Sequence, residues 1–112
     1  MNDFDIPTYL TSLENVIIDK KLNPKLTVYK TPVGDEQKIF AIIENNSNPL
    51  QITLKCDRLL AKQLREEYET VMPAKDMSKN YWNTILCTGQ LSAEYIKSLI
   101  DLSYNLVKNN LN

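Results

Sequence analysis

The sequence predicts an α+β fold: a single domain in which an antiparallel sheet carries helices on one face, with its elements in the order α-β-β-β-α-β-α. Three observations predict it. The chain has 112 residues, of which 43% are hydrophobic, enough to bury one core with little left for a second. Three strand-like runs at 26–31, 38–44 and 50–56 follow one another across short, turn-rich connections, which exclude parallel crossovers and predict an antiparallel meander. Apolar residues in three other segments recur at helical spacing.

Taken in order, Ile6, Leu10, Leu13 and Ile17 repeat at that spacing behind Asp5, which is suited to cap a helix N-terminus, with Pro7 tolerated in the first turn. The spacing predicts a helix over roughly 6 to 19, although the β-branched run Val16, Ile17, Ile18 equally suits the start of a strand. Asn23 and Pro24 end the segment either way. "LTVYKT", "KIFAIIE" and "LQITLKC" then read as strands, divided by "PVGDEQ" and "NNSNP". The second is apolar throughout and is expected in the middle of the sheet. In the third, Leu50, Ile52, Leu54 and Cys56 alternate with Gln51, Thr53 and Lys55, the pattern of a strand with one wet face.

Asp57 is placed to cap a second helix, with Leu60, Ala61, Leu64 and Tyr68 on its inner stripe, running to about 69 and closed by Val71, Met72 and Pro73. "YWNTILC" at 81–87 reads as a fourth strand that ends at Gly89. Ser92 begins the last helix, where Ile96, Leu99, Ile100, Ser103, Leu106 and Val107 share a face. The connection at roughly 70–80 is the longest irregular stretch, and such loops often carry function.

Composition narrows the chemistry. Thirteen Lys and Arg oppose fourteen Asp and Glu, a net charge of -1, so nothing attracts nucleic acid or anionic membrane over the whole surface, and any such partner needs a local patch. No apolar run is long enough to span a membrane and residues 1 to 20 lack a signal-peptide pattern, which predicts a cytoplasmic protein with no membrane partner. With no His and only Gly34 and Gly89 as glycines, triads built on His, phosphate-cradling loops and the dinucleotide fingerprint are excluded. Cys56 and Cys87 lie far apart in sequence and are expected to be reduced thiols. The expectation is a non-enzymatic module without cofactor or metal, monomeric or homodimeric; Glu66, Glu67 and Glu69 read as a solvated helix face.

Two groups of residues are candidates for a partner. Arg58, Lys62 and Arg65 fall on one side of the second helix. They form either a binding stripe or a solvated face laced by Lys62–Glu66 and Arg65–Glu69 pairs four residues apart. Lys75, Lys79, Asn80 and Trp82, with Tyr81, place cations beside aromatics, a mixture found in single-strand binders. Trp82, the sole Trp, is expected to plug the end of the sheet against the last helix, leaving the stretch from Lys75 to Asn80 as the contact surface above it.

The segments "LKC" at 54–56, "LREEYETVMPAKDMSKNYWNTILCTGQL" at 64–91 and "LIDLSYNLV" at 99–107 resemble the bacterial MmcQ/YjbR family, the likeness running from about Phe40 to Val107. Pro73, Met77, Lys79, Trp82, Asn83, Ser103 and Tyr104 carry it most specifically. Family members commonly have an aromatic residue and a His just before the position of Met77, and a His before the Trp. This chain has Lys75, Asp76 and Tyr81 there, so chemistry that depends on those imidazoles is not expected. The resemblance implies a fold related to type III secretion chaperones and frataxin-like proteins. It also implies a DNA-binding module, through the likeness of its hairpins to a double-wing domain; the chaperone-like fold implies the alternative of a protein partner docked on an open sheet face or edge.

Overall fold

In a computed structural model, which describes residues 5–21, 23–75 and 77–109, three helices pack on one face of a six-stranded antiparallel sheet. The elements are α1 (Ile6–Ser12), β1 (Ile17–Asp19), β2 (Leu26–Val33), β3 (Glu36–Glu44), β4 (Gln51–Lys55), α2 (Arg58–Glu67), β5 (Val71–Pro73), β6 (Trp82–Leu86) and α3 (Ala93–Lys108). Their spatial order in the sheet is β1-β2-β3-β4-β6-β5. The expected meander is β2-β3-β4, and "IFAII" lies within β3, one of the two central strands.

Two predicted helical endings turn out to be strands. The first helix stops at Ser12 rather than near 19: Asn15 takes a left-handed φ of 62°, and Ile17, Ile18 and Asp19 pair with Lys30, Tyr29 and Val28. The β-branched side chains favour the pleated conformation over more helix. The segment Val71–Pro73, expected only to close α2, pairs with β6 as the opposite edge strand. The three predicted caps form. Asp5 accepts from the Thr8 amide at 3.4 Å, Asp57 from Leu59 at 3.1 Å and Leu60 at 3.3 Å, and Ser92 from Tyr95 at 3.1 Å, each satisfying amides that lack a partner inside the helix. Gly34 supplies the positive φ, 61°, in the two-residue turn joining β2 and β3.

The core lies between α3 and the middle of the sheet, where Ile96, Leu99, Ile100 and Val107 meet Ala41, Ile43, Ile52, Leu54 and Ile85. On α3 the buried stripe also takes in Tyr104, whereas Leu106 is only half-buried. A bulge explains how α3 seats itself. Tyr29 pairs with Ala41 and Lys30 with Ile39, so Phe40 is an extra residue in β3 with no partner on β2. Its ring is fully buried and meets the Tyr104 ring edge-on at 5.2 Å. The Ser103 hydroxyl donates to the Phe40 carbonyl at 2.6 Å and accepts from the Lys55 amide at 2.8 Å. A side chain of α3 thus replaces one rung of the β3–β4 ladder where the strands part. The Tyr104 hydroxyl reaches the Glu14 carbonyl and ties α3 to the connection between α1 and β1.

Candidate functional site

The helix α2 turns Ala61 and Leu64 into the core and Arg58, Lys62 and Arg65 outward, because positions four and seven apart return to one face of a helix. The three cations are not laced to α2's own acids. Among the described residues no ion pair joins Lys62 to Glu66 or Arg65 to Glu69, and the helix ends at Glu67, so Glu69 no longer lies one helical turn from Arg65. Instead the Arg65 guanidinium donates to the Lys79 carbonyl at 3.0 Å and to Asn83 Oδ1 at 2.8 Å. Asn83, buried on β6, donates in turn to the Ala61 carbonyl at 3.1 Å. Arg65 is therefore no solvated member of a stripe but a tie that draws the 79–80 turn against α2.

The result is a surface depression of about 460 Å³ lined by Arg58, Leu59, Lys62, Arg65 and Asn80. Four of the seven residues singled out in the sequence meet here, and the described lining residues include no acid. Asp57, next in the chain, has its carboxylate committed to the amides of Leu59 and Leu60. Lys79 is exposed beside Asn80. Spacing missed Leu59, whose side chain remains 69% exposed in the basic surface; a lone Leu off the apolar stripe was its only signal.

Lys75 and Trp82 lie elsewhere. Thr84 faces the side of the sheet away from the helices, bonded to Thr53 at 2.7 Å, whereas Asn83 and Ile85 point to the helices. Trp82, two residues before Thr84, shares its side by the alternation of a strand. Trp82 is buried, but not against α3 as expected: with Val28 and Ala74 it stands outside the core cluster. The loop after β5 covers this side, held by the Ala74 amide on the Trp82 carbonyl at 3.2 Å and the Trp82 amide on the Ser78 carbonyl at 2.9 Å. The stretch from Lys75 to Asn80 is therefore not one surface. Lys75 borders the helix-free face and Asn80 the α2 depression, while Asp76 lies outside the described residues.

The thiols are poorly suited to chemistry. Cys87 bonds through its amide to the Leu50 carbonyl, and Cys56 through its amide to the Tyr81 carbonyl. They sit at opposite ends of the β4–β6 ladder, about 20 Å apart at strand rise, too far for a disulfide. Both are free, and burial pushes each thiol up to about 11, away from the thiolate that reacts. Among the described residues no group of three acidic or Cys side chains converges as a metal site, and no helix is long and apolar enough to cross a membrane.

A six-stranded antiparallel sheet with its helices on one face defines the class, a compact α+β domain. Two solved structures share this fold. Protein DR2400 of Deinococcus radiodurans superposes with a TM-score of 0.86 over 96% of this chain and 80% of that one, at 21% identity. A Pseudomonas syringae protein does so with a TM-score of 0.76 over 95% and 98%, at 27% identity. The YjbR family model matches residues 12–106, and the chain is 31% identical over 79 residues to the uncharacterized protein YjbR of Escherichia coli strain K12, covering 70% of this chain and 67% of that one. The chain belongs to the YjbR family, as its motifs led us to expect, and the match extends well N-terminal of Phe40.

Proposed function

We propose that the protein is a non-enzymatic module that binds nucleic acid through the α2 depression, with Arg58 and Lys62 holding backbone phosphates, Lys79 flanking them, and Asn80 contributing a neutral hydrogen-bonding group. One observation carries this reading: Arg58, Lys62 and Arg65 of α2 and Asn80 of the distant turn line one hollow, with no acid among its described lining residues. The guanidinium of Arg65 is oriented by Asn83 before any ligand arrives, which lowers the ordering cost of binding. A net charge of -1 supplies no long-range steering, so binding is local and modest. Absence of His from the sequence and the two thiols held near 11 support a binding role over catalysis. A docked protein on the sheet face has less to rest on, since among the described residues the large exposed apolar side chains are Ile18, on the edge strand β1, and Leu59, on α2.

Fluorescence anisotropy with short labelled single- and double-stranded DNA tests the proposal. Two or three phosphate contacts give a slope of log K against log salt of about -2 to -3. An Arg58→Ala, Lys62→Ala double variant should lose most of the binding, and Lys79→Ala part of it, while Lys75→Ala leaves it unchanged. No binding at ~50 mM salt, where phosphate contacts are strongest, would sink the idea.

A further inference from the structure

The helix-free face of the sheet holds a second hollow, of about 360 Å³, within the range of small-molecule sites. Its origin lies in the register. Ile42, Thr53, Thr84 and Met72 stand side by side across β3, β4, β6 and β5. The two short threonines leave a trough between the longer Ile42 and Met72, and Pro73 and Met77 of the pinned loop wall one end of it. The floor is not purely apolar. Thr53 and Thr84 share one hydrogen bond at 2.7 Å, so whichever hydroxyl accepts keeps its own proton for a ligand. Both methionines are half-buried in the wall, and their unbranched thioethers adapt to an inserted chain.

Charge decides what such a ligand is. Lys75 is the cation of the lining and is exposed at the loop end; among the described residues it makes no ion pair. Glu44 lies at the other end, level with Gln51 and Leu86, whereas β5 ends at Pro73 opposite Asn83; three strand spacings across and three residues along put Glu44 about 17 Å from Pro73. An anionic head is favoured at one end and disfavoured at the other, with Met72, the Thr53–Thr84 floor and Ile42 between them.

We propose that this hollow binds a medium-chain monocarboxylate, its head on Lys75, its chain over the Thr53–Thr84 floor between Met72 and Ile42, and its tail stopping short of Glu44. The site is separate from the α2 depression, so an Arg58→Ala variant binds it unchanged.

The test is an NMR titration of methyl-labelled Met72, Met77 and Ile42 with octanoate, octanol and octanedioate. The expected result is saturable shifts with octanoate, tighter than with octanedioate, whose second carboxylate would be drawn out of water into the hollow on the side of the Glu44 charge. Lys75→Glu, at an exposed position, should weaken octanoate about fivefold or more and leave octanol unaffected. Thr84→Leu should fill the trough and abolish both; should that variant fold poorly, the Lys75→Glu arm decides alone. Absence of saturation up to ~10 mM octanoate, or octanoate binding indifferent to Lys75→Glu, overturns the proposal.

Discussion

Replacing Ser103 by Ala removes a single oxygen from the interior, yet it should be among the most damaging conservative changes in the chain. The hydroxyl bridges the Phe40 carbonyl at 2.6 Å and the Lys55 amide at 2.8 Å, and the residue is fully buried. The β3–β4 ladder ends at Ala41 and Leu54, so without the hydroxyl both backbone groups lose the hydrogen bond that Ser103 supplies. An unsatisfied buried backbone group costs ~1–3 kcal/mol, and Ala regains ~0.5 kcal/mol of helix propensity. The net loss is about 3 kcal/mol. Spread over the unfolding entropy of a domain this size, that lowers Tm by ~13 °C. Urea and thermal unfolding followed by circular dichroism measure it. The control is Ser98→Ala on the exposed side of the same helix, where the change should stay within about 0.5 kcal/mol. A Ser103→Ala loss below ~1 kcal/mol would show that the bridge is not what joins α3 to the sheet.

Two further outcomes follow from the same reasoning. Arg65→Ala should destabilise the fold by about 2 kcal/mol, because Asn83 Oδ1 and the Lys79 carbonyl lose a charged donor, whereas Arg58→Ala should leave stability unchanged; equal effects in urea unfolding would refute Arg65's role as a tie. The Tyr9 hydroxyl donates to Asp101 at 2.6 Å, and that carboxylate, with burial, pushes the phenol from 10.0 up to about 12. The folded state keeps this proton longer than the unfolded one, so the contribution is whole below pH 10 and is lost between pH 10 and about 12; urea unfolding at stepped pH should show that extra decline in the native chain and not in Tyr9→Phe.

What the sequence made legible was whatever depends on neighbours along the chain. The caps at Asp5, Asp57 and Ser92, the meander across short connections, and the outward triplet Arg58, Lys62, Arg65 all follow from spacings of a few residues. The strands β1 and β5 are three residues each, too short to show a period, and only pairing with β2 and β6 makes them strands. The side on which Trp82 is buried depends on a loop folding over the sheet, and the duty of Arg65 depends on Asn83, eighteen residues away. Neither has a local signal. The residues that carry the family likeness divide the same way: Asn83, Ser103 and Tyr104 hold the fold together, while Pro73 and Met77 wall the sheet-face hollow.

The brevity of β1 and β5 bears on how the molecule behaves when crowded. An antiparallel sheet invites further strands at its margins, and chains with long, flat margins polymerise. Here each edge strand is three residues long, and one finishes in Pro73, which has no amide hydrogen to give. A foreign strand adding to β1 or β5 would gain only a rung or two before running out of partners there, which works against edge-to-edge growth.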